Sequence, residues 1–234
     1  MGKKEFPKIE GNFKPKDLDL GPSVGGGIRE KISGVSSRAF GIIKFILGVC
    51  LLPFVYSSSA SFLSEFNLIE KSLQACFWTG VISLLIVYLF VLEPAIIYTK
   101  GQKLLELFFS FFKPLVKVAP YLLPIYTILL FILYWPFSLI SQSPAVIKVF
   151  IFIFGFSIAF HLIYSAKTMR SKQGDFLKSN YIFGFSFIYI LNLMLLAMCL
   201  NCIFKEFSFV NFFNTSFQIA KGILSAVFKQ LFVP

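Results

Sequence analysis

Few residues in this chain have the types and spacing to do chemistry. His161 is the only histidine, and it lies inside an apolar run. Gln102 and Glu106 stand at i, i+4, so a helix carrying both presents them on one face. Glu93, Gln173 and Asp175 complete the polar set. Ionisable groups within a membrane domain are costly and are functional candidates for that reason. Cys199 and Cys202 form a CxxC with both thiols on one helix face. A redox pair of this spacing works at a helix N-terminus, where the dipole favours the thiolate. Here it falls near the C-terminal end of an apolar run, where the dipole opposes it. A metal site there would need two more ligands, and none stands nearby. Ser, His and acid form no recognisable triad. The residues alone therefore assign no catalytic group, no metal and no cofactor, and the two cysteines read as small hydrophobes.

The elements that must position these groups are apolar. Of 234 residues 57% are hydrophobic and only 14% charged, more apolar surface than a soluble domain of this size can cover. Five long runs, at about 39–62, 74–98, 118–140, 147–166 and 181–204, each hold the ~20 residues that cross a ~30 Å hydrocarbon core. Lipid offers the backbone no hydrogen-bond partner, so such runs must be helical. The expected fold is an all-α polytopic membrane helix bundle with five transmembrane helices and a C-terminal amphipathic helix or sixth span. Residues 1–38 read as a flexible basic tail, 39–206 as the membrane domain and 207–234 as the amphipathic helix. The Gly25-Gly26-Gly27 cluster lacks the Lys-Ser/Thr of a phosphate loop and reads as a hinge. Residues 28–38 suit a short amphipathic helix. No apolar signal-peptide core follows Lys3 and Lys4, so the first span is expected to direct insertion.

Charge alternates between the spans. The first 38 residues hold eight Lys/Arg, and the segments 99–117 and 167–180 hold four each. On the other side stand Lys71, Lys148, Lys205, Lys221 and Lys229. This bias predicts a cytoplasmic N-terminus in a cell (inner) membrane, and it gathers Glu93, Gln102, Glu106, His161, Gln173 and Asp175 at the cytoplasmic end. The formal net charge of +11 then implies anionic headgroups as partners, not nucleic acid, since no basic-aromatic interleaving occurs. Lys44, inside the first span, reads as a residue that snorkels to headgroups. In 207–232, Asn211, Asn214, Gln218, Lys221, Ser225 and Lys229 form one polar stripe on a Phe-rich helix. That helix lies at the interface, or spans the membrane with its stripe turned to other helices.

The run Tyr98-Thr-Lys-Gly-Gln102-Lys-Leu-Leu-Glu106-Leu-Phe resembles the active-site helix of bacterial membrane proteins related to site-2-type zinc metalloproteases, approximately Tyr-x-x-Gly-His-Glu-Leu-Thr-His-Ala-Leu. Val118-Ala-Pro-Tyr121-Leu-Leu-Pro124-Ile-Tyr-Thr, Phe160-His161-Leu-Ile-Tyr-Ser and Gln173-Gly-Asp175-Phe resemble further elements of that group in the same order, and Asn192 falls in a similar place in the last span. The resemblance covers residues 80–200. It puts the family's two zinc-binding histidines on Gln102 and Glu106 and its catalytic glutamate on Lys103. An amide is a poor zinc ligand, and a lysine repels the ion and cannot activate water. A longer Gly-containing insert of the family is also missing here.

The resemblance therefore implies a non-enzymatic pseudo-metalloprotease, a scaffold or regulatory subunit with a membrane-protein partner. It also implies a polar network of Glu93, Gln102, Lys103, Glu106, His161, Gln173 and Asp175, with Lys103 paired to a carboxylate in the vacated metal position. Two alternatives stay open. One is a small lipid- or solute-handling protein, although the external halves of the spans hold almost no ionisable groups. The other is a trafficking protein similar to the Yip family, from Asp19-Leu-Gly-Pro22 and from Tyr121 near Pro124.

Overall fold

The computed structural model describes residues 24–90, 95–110, 119–140, 143–171 and 181–232. Among them every regular element is a helix and there is no strand. Two compact units divide the chain, Met1–Phe40 and Gly41–Pro234. In the first, the described residues are helical from Val24 onward, including the three glycines expected to hinge.

Seven helices follow in order: α1 (Val24–Phe66), α2 (Lys71–Phe90), α3 (Ala95–Phe108), α4 (Ile125–Ile140), α5 (Pro144–Ser171), α6 (Tyr181–Ile203) and α7 (Phe209–Phe232). Among the described residues, four helices are long and apolar enough to cross a membrane: Ala39–Phe66, Lys71–Phe90, Pro144–Met169 and Tyr181–Ile203. They match four of the five expected runs.

The third expected span differs. A helical turn at 119–122 stops at Leu123 and Pro124, and α4 resumes for 16 residues. That is about 24 Å at 1.5 Å per residue, short of a ~30 Å core. The cause is local. Pro124 has no N–H to give to the carbonyl one turn back, and the Ile125 N–H bonds the Leu123 carbonyl at 3.0 Å instead of continuing the helix. The second span also ends earlier than the apolar run, and Tyr98 belongs to the separate helix α3.

Helix α2 crosses α5 at very close range because each brings a glycine to the contact. A Cβ on Gly80 would fall on the Phe152 carbonyl, and one on Gly155 on the Phe77 carbonyl. Small residues of this kind let backbones approach where lipid removes the hydrophobic drive between helices. Gly48 of α1 meets the backbone of Phe183 on α6, and Ser59 and Tyr189 join the same two helices through their hydroxyls at 2.8 Å.

The core divides into two clusters. The larger contains Phe62, Phe66, Phe77, Phe154, Leu196 and Phe212. The smaller contains Leu84, Tyr98, Phe160 and Tyr164. Beside the larger, Glu65 accepts the Ser208 backbone N–H at 3.1 Å and Gln74 donates to the carbonyls of Ile69 and Asn67. These bonds pin the α1–α2 turn and the start of α7.

On α7, Phe212, Ser216 and Ala220 turn inward. The polar stripe Asn211, Asn214, Gln218, Lys221, Ser225 and Lys229 is exposed throughout. It therefore does not face the other helices, as the sixth-span reading required. Lys44, within α1, has 4% of its surface exposed.

Candidate functional site

At the helix break the Ile125 N–H turns to the Leu123 carbonyl, and side chains of other helices reach the Tyr121 and Leu122 carbonyls. A backbone carbonyl in the apolar interior needs a donor. Neighbouring helices provide them. His161 Nε2 lies 3.2 Å from the Tyr121 oxygen, and Ser165 Oγ donates to the same oxygen at 3.3 Å. Asn192 Nδ2 donates to the Leu122 oxygen at 3.0 Å and to Ile188 of its own helix at 2.8 Å. His161 and Ser165 are one helical turn apart on α5, so both reach one carbonyl.

The carbonyl acceptors fix the direction of the bonds made to them. A carbonyl only accepts, so His161 carries a proton on Nε2 and gives it to Tyr121. Ser165 Oγ reaches the same oxygen and also lies 3.2 Å from His161 Nε2. The Tyr98 hydroxyl lies 3.0 Å from Ser165 Oγ, and either can donate in that pair. The chain therefore runs from Tyr98 of α3 through Ser165 of α5 to Tyr121.

Tyr98 fixes α3 in other ways. Its ring stacks on Tyr164 at 5.3 Å and meets Phe160 edge-on at 6.0 Å. The Tyr126 hydroxyl bonds the Ile97 carbonyl, and the Tyr126 ring covers Gly101, where a Cβ would approach it to 2.8 Å. Nearby, Thr127 and Ser157 pair their hydroxyls at 2.6 Å between α4 and α5.

Of the expected network, Gln102, Lys103, Glu106 and His161 fall within the described residues. His161 is buried, and Gln102 is half-buried with its Nε2 shielded and unpartnered. Lys103 and Glu106 are both exposed on α3, so the expected buried pairing of Lys103 with a carboxylate does not form among the described residues. Glu93, Gln173 and Asp175 lie outside the described residues. Among the described residues no group of three His, Cys, Asp or Glu comes together. Cys199 is buried and Cys202 exposed, and both thiols are free.

Ser165 and Tyr98 join the site only through the tertiary contacts. The i, i+4 spacing of His161 and Ser165 was the available signal, and Pro124 was the sign that a carbonyl would need them. Asn192 is fully buried, and its Oδ1 has no hydrogen-bond partner.

An apolar cleft of about 480 Å³ opens beside this network. Val87 of α2, Ile97 of α3, Tyr126 and Leu133 of α4, and Ile153 and Phe160 of α5 form its walls. A second cavity of about 340 Å³ lies among Phe131, Tyr134, Trp135 and Cys202. No family model matches the chain, and neither a curated protein nor a solved structure does.

Proposed function

We propose that this chain is a non-enzymatic integral membrane protein that acts as a scaffold or regulatory subunit of a membrane complex. The reading keeps the arrangement suggested by site-2-type metalloproteases and gives up their chemistry. One observation carries it: the buried polar side chains that could have served a reaction are engaged as structural donors. His161 and Ser165 hold the Tyr121 carbonyl, and Asn192 holds that of Leu122. The exposed Lys103 is no substitute for a carboxylate that activates water. The charge bias favours a cytoplasmic N-terminus, with α3 on the same side.

The test is purification of the full-length chain from its native membrane in mild detergent, with metal analysis and mass spectrometry. A stoichiometric membrane-protein partner and no tightly held zinc is the expected outcome. Bound zinc together with peptidase activity lost in Glu106→Ala would refute the reading.

A further inference from the structure

We propose that the apolar cleft between α2, α3, α4 and α5 holds one acyl chain of an anionic phospholipid, with the headgroup on Lys100 and Lys103. The walls decide the chemical class of the guest. Ser157, one of the cleft residues, has its hydroxyl committed to Thr127 at 2.6 Å. The other hydroxyl on the walls, that of Tyr126, is bonded to the Ile97 carbonyl. Both hydroxyls already have a partner and every other wall side chain is hydrocarbon, so the cleft rewards chiefly dispersion contact.

Size separates an acyl chain from a protein partner. A helix with its side chains is about 10–12 Å across, so 480 Å³ would take about one turn of it. The volume does fall within the roughly 300–1,000 Å³ of small-molecule sites. A single flexible chain fills such a space, and the surrounding bilayer supplies one at high concentration.

Charge on α3, the helix that carries Ile97, selects the headgroup. Ile97 lines the cleft and is itself 53% exposed. Lys100 follows it by three residues on α3, on the neighbouring turn, and Lys103 follows by six; both are exposed. Glu106, also exposed, stands one turn beyond Lys103 and offsets part of its charge. Lys100 is therefore the stronger determinant. The inference goes beyond the scaffold reading and does not depend on it, since a chain without any protein partner would still bind the lipid.

The full-length protein, reconstituted in phosphatidylcholine vesicles, is probed with trace phosphatidylglycerol or phosphatidylcholine spin-labelled on the chain. Electron paramagnetic resonance should show a slowly exchanging, motionally restricted population that favours phosphatidylglycerol. Leu133→Trp fills the cleft from a side chain already 49% exposed and should abolish that population. Lys100→Gln should keep the chain restricted and lower the preference for phosphatidylglycerol roughly fivefold. If Leu133→Trp misfolds, Ile97→Trp occludes the same cleft from α3. An unchanged restricted population in a folded, occluded variant overturns the proposal. So does equal binding of the two lipids by the unaltered protein, or crosslinking of a Leu133→Cys variant to another protein instead of lipid.

Discussion

The Nε2 of His161 lies 3.2 Å from the Tyr121 carbonyl, forty residues earlier in the chain. This contact makes the only histidine a donor to a broken helix. It ties α5 to the segment preceding α4, and Ser165 reinforces it from the next turn at 3.3 Å.

Two donors on one carbonyl should behave non-additively. His161→Phe and Ser165→Ala each leave the Tyr121 oxygen one donor, so each should cost about 0.5–1 kcal/mol. The double variant removes both of these donors from a half-buried carbonyl and should cost more than the two together. Unfolding in mixed micelles measures all three, and simple additivity would reject the shared-acceptor account.

Asn192 has the same role for Leu122. Asn192→Leu keeps the volume and removes the donor, with an expected loss of about 1 kcal/mol. Pro124→Ala restores an N–H at the break. In that background the cost of Asn192→Leu should shrink, because a continuous helix supplies its own donors. An undiminished cost would mean that the break does not originate at Pro124.

The α2–α5 crossing gives a contrast between glycines. Gly80→Ala and Gly155→Ala each place a methyl on a backbone carbonyl, which cannot yield as a flexible side chain can. Each should cost about 1–3 kcal/mol. Gly222 of α7 has nothing within 4 Å of an added Cβ, so Gly222→Ala should be neutral or stabilise by up to about 1 kcal/mol. Thermal unfolding of the three variants checks the order.

Helix α7 begins with a side-chain cap. The Asn211 N–H bonds Ser208 Oγ at 3.2 Å, and the Ser208 N–H bonds the Glu65 carboxylate at 3.1 Å. Ser208→Ala should cost about 1 kcal/mol and raise amide exchange in the first turn of α7. Glu65→Gln should loosen the same turn less than Glu65→Ala, because the amide oxygen still accepts. Equal exchange in both Glu65 variants would show that the contact does not hold α7.

The sequence by itself determined the helical class and the four helices long and apolar enough to cross a membrane, because an apolar run of that length leaves the backbone no partner but itself. It also marked His161 as the polar group to explain, and the polar stripe of α7 as a continuous line. Only the tertiary structure decided where those groups point. The third apolar run looked continuous, since its mean hydropathy is indifferent to whether Pro124 interrupts the hydrogen bonds. Once it does, freed carbonyls recruit His161, Ser165 and Asn192 from helices far away in the chain. Periodicity put Gln102 and Glu106 on one helix face but could not show that Glu106 and the adjacent Lys103 are exposed. Burial is a property of neighbouring helices, and those neighbours are chosen by close contacts such as Gly80 on Phe152, not by any local pattern.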